Sequence, residues 1–245
     1  MTASSPSPRP TVVLVHGAFA ESASWNGVIA RLLAGGYPVV AVANPLRGVR
    51  TDAAHLAGVL DTLDGDVVLV AHSYGGMVTS NVHSDRVRAM VFLGAFAPDV
   101  GDSAATLSGR FPGSTLAETL QPVPLPDGET DLYIRQDRYH AQFAADSPTA
   151  DAAVMAATQR PITQSALEEP SAGAAWRTVP SWFLFGAEDH NIPAAVHRFM
   201  ADRAGSRRTV ELAGGSHTVA IPEAAQAVAL IEEAAASVAA APARS

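Results

Sequence analysis

Three residue types that together carry out nucleophilic acyl transfer stand at separate points of the chain. Ser73 lies in Ala71-His72-Ser73-Tyr74-Gly75-Gly76. A serine hydroxyl becomes an effective nucleophile when a sharp strand-to-helix turn exposes it, and that strained turn needs neighbours with almost no side chain. Ala71, Gly75 and Gly76 meet the need. The usual pattern is GxSxG, so alanine in place of the first glycine leaves the turn slightly less room. The same turn sets Ser73 at a helix N-terminus, where the Tyr74 N–H and the positive end of the helix dipole favour an oxyanion developing on a substrate. The plain alternative is a serine in an ordinary glycine turn.

A serine nucleophile at neutral pH needs a base, and the base needs a carboxylate to orient it. The segment Gly186-Ala187-Glu188-Asp189-His190-Asn191-Ile192-Pro193 offers the acid, and Gly214-Gly215-Ser216-His217 offers the imidazole. The order Ser73, Asp189, His217 is the one expected when the nucleophile sits on a strand–turn–helix elbow. Asp189 is preferred to Glu188 because it directly precedes the turn into a helix opening at Ile192-Pro193; Glu188 reads as a solvated or capping residue. His16-Gly17-Ala18-Phe19 closes another strand and can aim a second N–H at the oxyanion, with Ala18 the first choice and Phe19 the reserve. His16 itself reads as a hydrogen bonder that orients this loop. His55, His72, His83, His140, His190 and His197 have no partnered spacing and read as structural or solvated. There is no HExxH, no carboxylate cluster and no glycine-rich phosphate loop, so neither a metal nor a nucleotide is implied.

These residues need strand ends to carry them. The continuous apolar run at 11–15 reads as a strand buried on both faces, 39–43 as a second buried strand, and 67–71, 87–93, 182–185 and 209–212 as four more strands. Helical spacing fills the intervals: Trp25, Val28, Ile29, Leu32 and Leu33 behind a Ser24 cap, then Leu56, Val59, Leu60 and Leu63 behind Thr51, then a helix over about 193–204. A last helix aligns Val228, Ile231, Ala235 and Val238. Alternating strands and helices imply parallel pairing through right-handed crossovers, and so an α/β fold of six parallel strands with helices on both faces. Residues 98–178 break the alternation with a scatter of prolines. They read as a helical cap inserted after the fourth strand, with helical patches at 131–145 and 149–158 and no buried strand. The expected organisation is a disordered tail at 1–10, a core of 11–97 and 179–245, and the cap at 98–178.

Of the 245 residues, 48% are hydrophobic and 16% charged, against roughly 25% charged in typical soluble domains, which points to a deep core and an apolar pocket. With 24 acidic against 16 basic side chains and a net charge of −8, and no run of Lys or Arg, the chain lacks the footprint of a nucleic-acid partner. The absence of cysteine removes disulfides, thiolate metal sites and a cysteine nucleophile together. No apolar stretch reaches the roughly 18 residues of a membrane span, and the Ser/Pro-rich opening lacks the apolar run of a signal peptide, so a cytoplasmic protein without a membrane partner is expected. Composition leaves the oligomeric state open between monomer and homodimer.

From about residue 11 to 240, outside the cap, the segments VLVHGAFAESASW, VAHSYGGM, GAEDHNIP and GGSHTV resemble the α/β-hydrolase superfamily. Within it they are similar to small lid-bearing bacterial serine hydrolases related to plant methylesterases and hydroxynitrile lyases. The resemblance implies an α/β-hydrolase fold in a minimal six-stranded form, and a cofactor-free serine esterase acting on small, largely apolar esters. Hydroxynitrile lyases of this type carry Thr where this chain has Gly17, and Lys directly after the catalytic histidine, where this chain has Thr218. Without that lysine charge there is no device to stabilise a leaving cyanide, and both departures favour the esterase. The same constellation also supports lyase, acyl-transfer, perhydrolase or polyketide-tailoring chemistry, and some relatives of this fold bind ligands without turning them over.

Overall fold

The computed structural model describes residues 9–239. Behind Pro10, five residues with β-branched valines and threonine extend into β1 (Thr11–Val15), and the chain then alternates helix and strand. The successive elements are α1 (Asn26–Ala34), β2 (Val39–Val42), α2 (Val49–Asp61), β3 (Val67–Ser73), α3 (Gly75–Ser80) and β4 (Val87–Ala95). After a long insertion the alternation resumes with β5 (Ser181–Gly186), α4 (Ala194–Arg203), β6 (Arg208–Leu212) and α5 (Ala224–Ala239).

All six strands are parallel, in the order β2-β1-β3-β4-β5-β6. Because successive side chains of a strand point to opposite faces, the apolar runs feed two separate cores. Val13, Val15, Leu69, Ala71, Met90 and Phe92 pack with Leu56 and Leu60 of α2, Met77 of α3 and Met200 of α4. Val12, Leu14, Val68, Val70, Val91 and Leu93 pack on the other face with Leu32 of α1 and Ile231 of α5. Each such side chain taken wholly out of water contributes about 1.5–3 kcal/mol. The central strands are apolar on both faces for this reason. β1 lies between β2 and β3, so the chain steps from β1 outward to β2 and then back across β1 to β3, and a crevice opens at the carboxyl ends of β1 and β3 where the winding reverses. Both the His16–Phe19 loop and Ser73 lie at that crevice.

The insertion holds more than helices. Besides short helices at Ala104–Ser108 and Gln164–Glu168, and longer ones at Gln136–Phe143 and Thr149–Thr158, it forms a three-stranded antiparallel sheet from Leu120–Pro124, Thr130–Ile134 and Ile162–Thr163. The expectation of no buried strand, and of a helical patch opening at residue 131, gives way here. Leu132 and Ile134 alternate with more polar neighbours over only a few residues before the Gln136–Phe143 helix begins, so strand and helix periods run together in the sequence. Pro122 and Pro124 are accommodated because they occupy an edge strand.

Most of the expected N-terminal tail, residues 1–8, lies outside the described residues, as does the C-terminal end from 240 onward. Arg9 places its guanidinium 4.6 Å from the Tyr37 ring centre and donates to the Gly35 carbonyl. Among the described residues no helix is long and apolar enough to cross a membrane.

Candidate active site

Ser73 ends β3 in the left-handed region, at φ 52°. A non-glycine residue held there stores about 1–3 kcal/mol of strain, and the surroundings enforce it. A Cβ on Gly75 would run into the Val15 carbonyl and one on Gly76 into the backbone of Phe96, so α3 starts this close to β1 only because both positions are glycine. Ala71 is tolerated in place of the usual glycine because it lies inside the strand, paired with Val15 on one side and Phe92 on the other.

The other two predicted residues meet Ser73 from consecutive strand ends. His217 Nε2 lies 2.9 Å from Ser73 Oγ, and His217 Nδ1 donates to Asp189 Oδ2 over 2.7 Å. Asp189 Oδ1 accepts the N–H groups of Asn191 (2.8 Å) and Ile192 (2.9 Å) in the turn leading into α4. Burial alone would push the Asp189 carboxyl up, but the charge of His217 and hydrogen bonds from His197 and His217 outweigh it and hold the group well below the usual carboxylate range. Glu188 is exposed.

Two contacts anchor the His217 loop. His72 Nε2 donates to the His217 carbonyl at 3.0 Å, and burial together with the neighbouring His217 lowers His72 to about 3, so its ring is neutral. From the insertion, Asp146 accepts the Ser216 N–H at 2.7 Å and the Ser216 hydroxyl.

The two loops expected to offer oxyanion donors differ in what their N–H groups do. Tyr74 N–H opens α3 beside Ser73. Phe19 is also left-handed, at φ 59°, and its N–H donates to the Arg160 carbonyl at 2.9 Å, while its own carbonyl accepts the Tyr139 hydroxyl at 2.7 Å. The Phe19 N–H is therefore already paired. Ala18 lines the same cavity as Ser73 and Tyr74, and its N–H has no partner among the described residues. His16 holds the loop: Nε2 accepts the Asn44 N–H at 3.0 Å, Nδ1 donates to the Gly17 carbonyl at 2.9 Å, and the Asn44 amide donates to the His16 carbonyl.

Ser73 opens into a cavity of about 490 Å³ whose walls are mostly apolar, with Phe96 and Ile192 from the core facing Leu116, Leu132 and Leu167 from the insertion. Residues 12–230 match the model of the alpha/beta hydrolase family. The chain belongs to the alpha/beta hydrolase family. Methylesterase 8 of Arabidopsis thaliana is 25% identical over 230 residues, covering 84% of this chain and 82% of that protein. Salicylic acid-binding protein 2 of Nicotiana tabacum is 27% identical over 240 residues, covering 86% of this chain and 91% of its own. The crystal structure of polyneuridine aldehyde esterase superposes with a TM-score of 0.78 at 18% identity, over 92% of this chain and 98% of that one, which shows a shared fold.

In this alpha/beta hydrolase the sequence reading missed three polar side chains that act on the site through others. Asp146 grips Ser216, Asp52 accepts the Tyr74 hydroxyl, and His197, read as structural or solvated, donates from Nε2 to Asp189 Oδ2 at 3.2 Å. Only His197 left a trace in the sequence, as a histidine beginning the second turn of the helix that directly follows the acid.

Proposed function

We propose that this chain is a cofactor-independent serine hydrolase that cleaves carboxylic esters of small, largely apolar substrates through an acyl-enzyme. One observation carries the reading: an unbroken hydrogen-bonded line from Asp189 through His217 to Ser73, ending at the floor of an apolar cavity. The esterase name of the Arabidopsis relative agrees with it.

In this mechanism His217 Nε2 takes the Ser73 proton as Oγ attacks the ester carbonyl, and Asp189 holds the imidazole in the tautomer that accepts it. The N–H groups of Ala18 and Tyr74 bind the oxyanion, each worth about 10²–10³-fold in rate in comparable sites. The tetrahedral intermediate collapses, the C–O bond to the alcohol breaks, and His217 returns its proton to the departing alkoxide. Water, deprotonated by His217, then attacks the acyl-enzyme and releases the acid with Ser73 restored. Residues 98–178 act as a cap that supplies the leucine-lined wall.

The packing at Gly17 weighs against the lyase alternative. A Cβ there would lie 2.5 Å from Ser73 Cβ and 3.1 Å from Ser73 Oγ, so this backbone has no room for the threonine of the lyases. Turnover of p-nitrophenyl esters of increasing acyl length by the wild type and Ser73→Ala tests the proposal. A Ser73-dependent kcat/KM of about 10⁴ M⁻¹s⁻¹ or more is expected; turnover that survives in Ser73→Ala sinks it.

A further inference from the structure

Asp189 receives one donor more than a charge-orienting carboxylate requires. Two backbone N–H groups hold Oδ1, and Oδ2 is shared by two imidazoles, His217 at 2.7 Å and His197 at 3.2 Å. His197 is only 1% exposed and stacks on Phe185, with ring centres 4.8 Å apart and planes 14° from parallel. A histidine filling the space beside β5 needs no carboxylate, since Phe or Leu would occupy that volume; this ring turns its N–H onto the oxygen that His217 uses.

We propose that His197 is a positioning residue for the acid–base pair, holding Asp189 Oδ2 against His217 Nδ1 and keeping the transferred proton on His217. The proposal rests on the assignment of Ser73, His217 and Asp189 given above. The torsion that turns a carboxylate about its Cβ–Cγ bond is soft and moves both oxygens together, so the two N–H groups on Oδ1 and the donors on Oδ2 brace one torsion from opposite ends. A second donor on Oδ2 narrows that motion. It also spreads the carboxylate charge, which makes Asp189 the weaker base when His217 becomes an imidazolium between the two anionic groups.

The charged and titratable groups around His197 are Asp189 and His217 from the two catalytic loops and Glu211 of β6. Glu211 is itself paired with Arg198, whose Nε lies 2.8 Å away. Burial lowers His197 below the ordinary imidazole range, against the pull of Asp189, so it donates as a neutral ring. Loss of this donor concentrates charge on Oδ2, strengthens its hold on the protonated form of His217, and moves the acid limb of kcat/KM to higher pH.

The test compares the wild type, His197→Leu, His197→Gln and Ser73→Ala on p-nitrophenyl butyrate from pH 5 to 9. Rates of the three proteins that keep Ser73 are expressed per Ser73 titrated with a fluorophosphonate, so that misfolded molecules are not counted, and the rate of Ser73→Ala per mole of monomeric protein. Leu, which lacks the donor, is expected to lower kcat about tenfold or more with little change in KM, and to move the acid limb upward. Gln, which keeps an N–H near the same place, is expected to recover most of both. A Leu variant with the wild-type limb and kcat overturns the proposal, and so does a Gln variant as impaired as Leu. An active Ser73→Ala overturns instead the assignment beneath it.

Discussion

The Tyr74 hydroxyl donates to Asp52 Oδ2 over 3.1 Å, tying the residue that follows Ser73 to the first turn of α2. Asp52 is buried and also accepts the Arg47 N–H from both oxygens, at 3.2 and 3.1 Å. The side chain of Tyr74 is thereby fixed at its hydroxyl, and the residue lines the cavity beside Ser73. Burial pushes the Asp52 carboxyl up, and the donors from Arg47 and Tyr74 counter that push in part. Removing the hydroxyl in Tyr74→Phe leaves a buried acceptor poorer by one bond, which costs about 1–3 kcal/mol. Urea unfolding is expected to show that loss with an unchanged m-value, and an unchanged midpoint would mean the bond does not form.

Substitutions in the proposed triad separate by role. Ser73→Ala and His217→Ala are expected to lose on the order of 10⁴-fold or more in kcat, and Asp189→Ala a comparable amount, because the three act as one unit. Glu188→Ala is expected to keep most of the activity. A dead Glu188→Ala beside an active Asp189→Ala would reverse the choice of acid.

Gly17 is a steric requirement of the Ser73 turn. With a Cβ forced to 2.5 Å from Ser73 Cβ, Gly17→Ala must displace either the His16–Phe19 loop or the serine, and either shift separates Oγ from the proposed oxyanion donors. A loss of about 10²-fold or more in kcat/KM is expected. Wild-type turnover in this variant would show that the loop and the elbow are further apart than the contact requires.

Stability should fall on the acid side well before the carboxylates titrate. Burial lowers His16 to about 4 and His72 to about 3, from an ordinary 6.5. His16 Nε2 must stay unprotonated to accept the Asn44 N–H. Between pH 6.5 and 4 the unfolded chain therefore binds more protons at these two sites than the folded one, so stability is full above 6.5 and declines as pH drops toward the folded values. At about 1.4 kcal/mol per unit, each histidine costs on the order of 3 kcal/mol by pH 4. The lowered Asp189 adds a loss of the same sign only below the usual carboxylate range. Thermal midpoints across pH 7.5, 6 and 5 check this, and a flat profile contradicts it.

The sheet, the elbow and the order of Ser73, Asp189 and His217 were legible in the sequence because each answers a local demand. Buried parallel strands need unbroken apolar runs, a strained serine needs small neighbours, and Gly75 and Gly76 satisfy that need within a few residues of it. The small sheet of the insertion was not legible, since Thr130–Ile134 is too short to show its own period beside a helix. Which of Ala18 and Phe19 keeps an unpaired N–H depends on the Arg160 carbonyl, 141 residues away from Phe19. The grips of Asp146 on Ser216, Asp52 on Tyr74 and His197 on Asp189 likewise carry no periodic signal. A hydrogen bond depends on the direction and distance of two groups after the layers have packed, and residue type shows only that each group is able to make one. The residues that meet at the crevice are therefore written in the sequence, while the partners that hold them in place were decided by how the insertion and the helices dock on the sheet.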